Sequence, residues 1–390
     1  MVKNVLYLSY DGMTDPLGQS QVLPYIIGLS KNGYSFHLIS FEKPDRFKAH
    51  KEKIESICEN NGISWHPMLY TKYPPLFSTV WDVNKMKRKA LKLHREHEFV
   101  LVHCRSYLSA LIGLSLKKRF KVRFLFDMRG FWADERVDGA LWNLKNPLYK
   151  WVYNYFKRKE VLFFKNADYT VSLTHAGKRE ILSWKGFDRL KDRICVIPCC
   201  ADLSLFKPCE RDSEEFTLGY LGSLGTWYML KEMLMVYAEI LKMIPSAKFH
   251  FLTKDDASLV YTLAKELDIN DNNIHIEESD RDHIPYKTRN WNYSVFFILP
   301  CYSKISSSPT KQGELMGMGI PIICNSGVGD VDEIVESYNS GYVVRDINSI
   351  NAEHILSRTF VKKEMTMGAH DYFSLEKGIE SYQKIYSELC

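Results

Sequence analysis

The residue types best suited to chemistry lie in one loop and the helix start after it. Residues 306–321 follow an apolar strand pattern and include Lys311 and Glu314, which at a spacing of three share one face of a helix. With Ser308 or Thr310 as the cap, the free amides and Lys311 would neutralise a phosphate. Glu314 could accept both hydroxyls of a ribose. The alternative is an ordinary Lys–Glu pair on a solvated helix.

Two other loops follow predicted strands and contain glycine. In the first, residues 11–21, Gly18 precedes a predicted helix whose first amides would be free to meet a phosphate or a sugar oxygen. In the second, Gly222 and Ser223 begin a turn in which backbone amides could approach a diphosphate closely. Neither loop has the Gly-x-Gly-x-x-Gly pattern of a tightly bound dinucleotide, and each could be a plain connection.

These loops belong to two successive series of alternating strands and helices, which predict two parallel sheets covered by helices. The fold class is therefore α/β, with two Rossmann-like domains facing a central cleft. A stretch rich in Pro, Cys, Asp and Ser separates the series, so we place the domains at residues 1–197 and 198–374. Ligands are expected beyond the carboxyl ends of the strands.

Composition narrows the functional classes. Residues 1–200 contain 34 Lys and Arg against 19 Asp and Glu, whereas the whole chain contains 52 against 47. The basic half indicates an anionic partner, but no nucleic-acid recognition motif accompanies it. Two segments, 85–92 and 146–159, combine bases with apolar or aromatic residues and would suit an anionic membrane surface, or a core-facing stripe with a solvated basic face. No long apolar run, signal peptide or zinc-type cysteine spacing is present, which favours the cytoplasm with reduced thiols.

Several segments in order resemble the retaining glycosyltransferases of the GT-B fold, within family four. They are the opening strand, glycine loop and helix, residues 196–206 as the linker, Gly219–Ser223 as the donor-domain start, and Lys311, Glu314, 319–321 and 327–329 as the signature region. The resemblance implies that Lys311 and Glu314 serve the reaction, and Arg129, which follows a predicted strand of the first domain, is a further catalytic candidate that could hold a phosphate. The resemblance also implies that residues 375–390 form a helix that crosses back to the first domain.

The loops described above and the end of the strand at residues 123–127 supply the candidate binding residues, with an ion pair across the last loop as the alternative for the acceptor side. Donor binding falls to Gly18, Gly222, Ser223, Ser306, Ser308, Thr310, Lys311 and Glu314, and the acceptor side to Asp11, Asp127, Asp134 and Glu135. Two positions depart from the family pattern. Ser306 replaces the first acid of a Glu-x7-Glu pair, and Ser223 stands where many relatives have an arginine. No Asp-x-Asp pair stands out as a metal site, so no essential metal or cofactor is expected.

The resulting hypothesis is a retaining transfer from a nucleotide-sugar donor, with UDP-sugars favoured, to a glycan or lipid-linked acceptor. It fits polysaccharide or glycolipid synthesis at the inner face of the membrane. Two rivals share the architecture. One is a nucleotide-sugar epimerase, and the other is a binding or scaffold protein without catalysis.

Overall fold

The computed structural model describes residues 3–390, which divide into two compact units. Unit 1 contains the residues up to Pro198 together with Leu375–Cys390, and unit 2 contains Cys199–Ser374. The passage between the units falls at Pro198, and the last helix belongs with unit 1.

Within residues 3–390, unit 1 is built on a parallel sheet of seven strands. They are β1 Lys3–Ser9, β2 Tyr34–Glu42, β3 Ser64–Leu69, β4 Leu101–Arg105, β5 Arg123–Asp127, β6 Tyr169–Ser172 and β7 Ile194–Val196. From edge to edge the order is β3, β2, β1, β4, β5, β6, β7. The order reverses at β1, so the carboxyl ends of β1 and β4 form the expected ligand-binding edge.

The helices of unit 1 cover both faces of this sheet. They are α1 Pro16–Gln21, α2 Leu23–Ser30, α3 Pro44–Asn60, α4 Phe77–His97, α5 Ser106–Phe120, α6 Trp132–Asp138, α7 Pro147–Asn166 and α8 His175–Ser183. α4 packs on α5 and α5 packs on α7. Because parallel crossovers are right-handed, these three helices share one face, and α1 to α3, whose connections run toward the other edge, lie on the opposite face.

Unit 2, whose residues are all described, contains a parallel sheet of six strands. They are β8 Thr217–Leu221, β9 Lys248–Leu252, β10 Ile274–Glu277, β11 Tyr293–Phe296, β12 Ile322–Asn325 and β13 Gly341–Val344, in the order β10, β9, β8, β11, β12, β13. Its helices are α9 Leu230–Met243, α10 Ser258–Glu266, α11 Ile284–Thr288, α12 Thr310–Gly317, α13 Val331–Ser337, α14 Ala352–Leu356 and α15 Lys362–Tyr372. The prediction of an α/β chain with two Rossmann-like units is confirmed.

The last helix, α16 Leu375–Leu389, packs against α2 of unit 1. The close approach is made at Gly28, where an added Cβ would lie 2.4 Å from Ile379 Cδ1. Two buried tyrosines of α16 reach polar groups at strands of the sheet. Tyr386 Oη lies 2.8 Å from His103 Nδ1, and the Tyr382 hydroxyl donates to Asp127 Oδ2 at 3.3 Å.

Some elements differ from the sequence-based expectation. The helix expected at residues 21–31 is two helices, α1 and α2, which meet at Val22, where the backbone leaves helical geometry (φ −129°). Seven elements of the described chain have no counterpart in the sequence-based prediction, namely β3, α4, α6, α11, β13, α14 and α15. β3 is an edge strand without buried residues, and α4 buries few apolar side chains, so neither has a continuous apolar pattern.

Gly219 in β8 tests the packing of unit 2. An added Cβ would lie 1.9 Å from Trp291 Cδ2, against a rigid buried indole. We expect Gly219→Ala to destabilise the chain by about 1–3 kcal/mol or more, measured by urea denaturation. The matched control is Gly225→Ala, which meets no atom within 4 Å and should be near neutral. Equal effects of the two changes would contradict this packing.

Candidate functional site

Two loops of unit 2 meet at the carboxyl edge of adjacent strands. β8 and β11 are hydrogen-bonded neighbours, so the turn after Leu221 and the segment that leads into α12 emerge side by side. Lys311 in the first turn of α12 closes the gap between them, because a Cβ at Gly222 would lie only 2.8 Å from Lys311 Nζ. The structure therefore brings Gly222 and Lys311, both selected from the sequence as donor-binding candidates, next to each other.

Lys311 is buried and its ammonium has no hydrogen-bond partner. Aromatic faces surround it instead: Nζ lies 3.9 Å from the centroid of the Tyr228 ring and 4.6 Å from that of Tyr220. Burial lowers the pKa of Lys311 to about 7, although the nearby charge of Glu314 works in the opposite direction. The group therefore stands at its protonation midpoint near neutral pH and lacks an anion.

Glu314 is also buried, but its partner is Arg281 rather than Lys311. Arg281 Nη1 lies 2.7 Å from Glu314 Oε1, and the guanidinium stacks over the Phe206 ring at 4.6 Å. Burial raises the pKa of the Glu314 carboxyl, and the charge of Arg281 partly offsets that rise. The alternative of a solvated Lys–Glu pair is thus wrong, because both side chains are buried and they do not bond to each other.

The hydroxyl residues before α12 differ in role. Pro309 occupies the helix N-cap and no side chain caps the helix, so the expected cap from Ser308 or Thr310 is not formed. Ser308 Oγ instead accepts a hydrogen bond from the Cys199 amide at 3.1 Å. Ser306 is fully buried and its Oγ has no partner. A second buried lysine, Lys304, which sequence reasoning missed, lies 3.6 Å above the Trp227 ring.

The turn at Gly222 is shaped for close approach, but its amides are partly used. Gly222 has a φ of +125° and its amide donates to the Leu252 carbonyl at 3.0 Å. Ser223 is exposed and its carbonyl accepts the Tyr220 hydroxyl. The amide of Leu224 donates to Asp255. The expectation that the Gly222 amide binds a diphosphate is therefore corrected, because that amide is already bonded; the group next to this turn without a hydrogen-bond partner is Lys311 of α12.

In unit 1 the corresponding edge carries a buried charged cluster. Ser9, Arg105 and Asp127 end three neighbouring strands in register. Asp127 Oδ1 lies 3.7 Å from Arg129 Nη1, and its Oδ2 lies 3.9 Å from Arg105 Nη1. Burial raises the pKa of Asp127, but Arg129, His103 and Arg105 outweigh it and the net shift is downward.

The outer side of this cluster includes Asp11. Its carboxylate is half exposed and lies 3.2 Å from Arg105 Nε. Arg105 Nη1 and Asp127 Oδ1 are both buried without a hydrogen bond. Arg129 adopts a left-handed backbone (φ +58°), a strain that is often found at functional positions. Sequence reasoning selected Asp11, Asp127 and Arg129 but missed Arg105, although a base that ends an apolar strand was a usable signal.

The remaining acceptor-side candidates lie in another environment. Both oxygens of Asp134 are engaged, with the Tyr153 hydroxyl at 2.8 Å and Lys157 Nζ at 2.7 Å. Asp134 thus ties α6 to α7 and is not free to hold an acceptor hydroxyl, which corrects its assignment. Glu135 is half-buried in the first turn of α6 and has partners of its own.

The amides of the glycine loop after β1 already bind a carboxylate, which comes from the end of β2. Glu42 is fully buried and accepts the amides of Met13 and Thr14, each at 2.9 Å. Gly18 lies inside α1 rather than before a helix, and a Cβ there would be 2.2 Å from the Gly12 carbonyl. The expected phosphate contact near Gly18 is therefore corrected: the glycine serves chain packing, and Glu42 fills the nest of amides.

In the described part of the chain, one cluster has the ligand types and spacing for a metal ion, namely His250, His275 and Glu277. Its hydrogen bonds do not suit a metal. Trp291 Nε1 donates to His250 Nδ1, which leaves the proton on Nε2, and Nε2 lies 3.0 Å from Glu277. A cation on Nε2 would force a proton onto Nδ1 against the indole N–H.

Two Asp-x-Asp sequences occur, at residues 280–282 and 330–332. In the second, Asp330 accepts a hydrogen bond from the Tyr372 hydroxyl, and Asp332 accepts one from the Gly327 amide.

The cost of burying Lys311 can be measured. We expect Lys311→Met to raise the melting midpoint of the ligand-free chain at pH 7, since each pKa unit lost on folding costs about 1.4 kcal/mol. Between pH 7 and 10.5 the unfolded chain binds the extra proton, so wild-type stability rises with pH and the advantage of the variant shrinks. Scanning calorimetry across this range checks the slope. A variant less stable than wild type at pH 7 would contradict the account.

Among residues 3–390, no helix has both the length and the apolar character that crossing a bilayer requires.

Comparison with known proteins agrees with this architecture. Residues 22–205 match the family model described as Glycosyltransferase Family 4. No curated protein sequence matches the chain at a significant level.

Solved structures resemble the chain over its whole length. Sucrose-phosphate synthase from Thermosynechococcus elongatus has a TM-score of 0.76 at 15% identity, with 99% of each chain covered. HepE from Anabaena, in complex with UDP and glucose, has a TM-score of 0.70 at 14% identity, with 98% of this chain and 99% of HepE covered. UDP-GlcNAc 2-epimerase from Neisseria meningitidis, bound to UDP-GlcNAc, has a TM-score of 0.58 at 13% identity, with coverage of 100% and 99%. Residues 22–205 thus resemble the family described as Glycosyltransferase Family 4, and the chain as a whole has the GT-B fold.

Proposed function

We propose that the protein is a retaining glycosyltransferase that moves a hexosyl group from a UDP-sugar to a glycan or lipid-linked acceptor, in the synthesis of cell-envelope polysaccharide or glycolipid. The observation that carries the proposal is the buried Lys311 ammonium without a hydrogen-bond partner, at the carboxyl edge of the unit 2 sheet. Most buried polar groups in folded proteins are hydrogen-bonded, so a buried ammonium without a partner at this edge supports a ligand that would complete it.

The charges and hydrogen-bonding groups of unit 2 are complementary to a nucleotide-sugar donor. The diphosphate would lie against Lys311, whose pKa of about 7 rises again when an anion replaces the lost solvation. Glu314, held by Arg281, would accept the hydroxyls of the ribose. A UDP-linked donor is favoured because HepE, with the same fold, was solved with UDP and glucose.

In the proposed reaction the bond from the anomeric carbon to the diphosphate oxygen breaks, and a bond from that carbon to an acceptor oxygen forms on the same face. The acceptor proton passes to the leaving phosphate oxygen. Negative charge develops on the diphosphate, so Lys311 stabilises the transition state more than the ground state. No metal is needed in this scheme, because Lys311 supplies the counter-charge. Addition of EDTA should therefore leave turnover unchanged.

The acceptor would bind unit 1, where Asp11, Arg105, Asp127 and Arg129 end neighbouring strands. A hydroxyl could donate to Asp127 and accept from Arg105, each of which has a buried atom without a hydrogen bond. A hydroxylated acceptor therefore suits this edge. The anomeric configuration of the product, measured by proton NMR, tests retention.

An epimerase is the second candidate, since UDP-GlcNAc 2-epimerase shares the fold. Ser306 also stands where the family pattern has an acid that would contact the donor sugar. An epimerase converts the donor sugar without an acceptor. Incubation of the enzyme with UDP-sugars alone distinguishes the two: epimerised nucleotide sugar supports the epimerase, and unchanged donor supports the transferase.

Donor binding depends on Glu314 in this proposal. We expect UDP and UDP-sugars to raise the melting midpoint, and Glu314→Ala to weaken UDP by about tenfold to a hundredfold, since hydrogen bonds to a charged group are lost. The matched control is Glu266→Ala, an exposed carboxylate of unit 2 that pairs with Lys231. If no nucleotide shifts the midpoint, the donor site is refuted and the scaffold function gains support.

Turnover depends on Lys311. We expect Lys311→Ala to lower kcat by at least about tenfold, with a smaller change in KM, because the charge matters most as the diphosphate leaves. Initial rates with saturating UDP-sugar and acceptor measure this. A variant that keeps full kcat would remove Lys311 from the mechanism.

A further inference from the structure

Two apolar clusters on unit 1 are exposed to solvent. The α4 cluster consists of Tyr73, Phe77, Val80 and Trp81, which are 57–74% exposed. The α7 cluster consists of Leu141, Leu148 and Trp151, which are 52–66% exposed. Isolated exposed apolar residues are common, but groups of large ones rimmed by polar residues mark interaction sites.

Both clusters lie at the same edge of the unit 1 sheet. Each of α4 and α7 starts after a strand has ended, and each runs back against the strand direction, so its first turns lie near the carboxyl edge. The exposed residues occupy those first turns and the loops before them. α4 and α7 both pack on α5, which lies between them on one face of the sheet. The clusters therefore flank the edge that carries Arg105 and Asp127.

The rim of both clusters is basic. Residues 69–92 contain six Lys and Arg and one acid, Asp82, which is fully buried and paired with Lys85. Residues 141–159 contain five Lys and Arg and no acid. Lys72, Lys87 and Arg88 are exposed around the α4 cluster, and Lys145, Lys150 and Arg158 are exposed around the α7 cluster. The solvent side of both segments is thus apolar and cationic.

We propose that the α4 and α7 clusters together form one docking surface for an anionic lipid bilayer. Aromatic and aliphatic side chains would enter the interfacial layer, and the bases would meet the lipid headgroups. This inference rests on the proposed function in one respect: a lipid-linked acceptor would reach the Asp127 edge from the membrane to which these clusters bind. The exposed bases are complementary to anionic headgroups, and the exposed side chains of Phe77 and Trp81 suit the interfacial layer beneath them, so charge and apolarity together favour lipid.

Vesicle flotation of the full chain tests the surface without reference to catalysis. We expect the protein to float with vesicles of equal parts phosphatidylcholine and phosphatidylglycerol and to remain unbound with phosphatidylcholine alone. Replacing Phe77 and Trp81 together by serine should lower the bound fraction at limiting lipid by at least about tenfold, and Trp151→Ser should lower it further. Because these side chains are exposed, the melting midpoint should be unchanged.

Matched controls separate this surface from general stickiness. Met367→Ser changes an exposed apolar residue of unit 2 and should leave flotation unchanged. Lys87→Gln with Arg88→Gln should weaken flotation, whereas Lys53→Gln on α3, on the opposite face of the sheet, should not. Flotation that is absent, independent of anionic lipid or insensitive to the cluster variants would overturn the proposal. So would a dimer, detected by light scattering, that the Phe77 and Trp81 changes dissociate.

The two proposals can fail separately. If flotation depends on the clusters but UDP does not bind, the docking surface stands and the transferase function falls. If UDP binds and sugar is transferred to a water-soluble acceptor while no vesicle is bound, the function stands and the docking surface falls.

Discussion

An ammonium group buried without a hydrogen-bond partner is costly, and unit 2 is organised around one. The Lys311 ammonium lies over the faces of Tyr220 and Tyr228 and has no hydrogen-bond partner, and burial lowers its pKa to about 7. Lys311 lies at this edge because β8 and β11 are adjacent strands. Glu314 pairs with Arg281 and not with Lys311. A fold selected for stability alone would replace Lys311 by an apolar residue, so the cost is consistent with a ligand that neutralises the charge.

Unit 1 also contains a buried charged group at the carboxyl ends of its strands, and there the group is a carboxylate. Asp127 is a buried carboxylate surrounded by two arginines and a histidine, and α16 contributes Tyr382 to the same carboxylate. The hydrogen bonds of this cluster are therefore complete only when the last helix packs on unit 1. Both units leave buried polar atoms unbonded at the carboxyl ends of their strands, where parallel sheets bind ligands.

The sequence predicted the fold well because apolar strands and amphipathic helices leave a periodic pattern. It selected Lys311 and Glu314 from a helix start and a family resemblance, and Asp127 and Arg129 from the end of an apolar strand, and the structure shows Lys311, Glu314 and Asp127 to be buried. It failed where side chains act across long separations. Arg281 joins Glu314 from a loop distant in sequence, and Glu42 fills the amides of the first loop; no local spacing reveals either contact. α4 escaped prediction because its exposed apolar and basic residues break the amphipathic pattern, and those same residues form the proposed docking surface.

The central claim is that Lys311 is a charge site held ready for an anion. NMR titration of the Lys311 side chain, labelled at Cε and assigned by Lys311→Arg, tests it most directly. The account predicts a pKa of about 7 in the free protein and a pKa raised by at least one unit when UDP is bound. A pKa near 10.5 in the free protein, or one that UDP leaves unchanged, would contradict it.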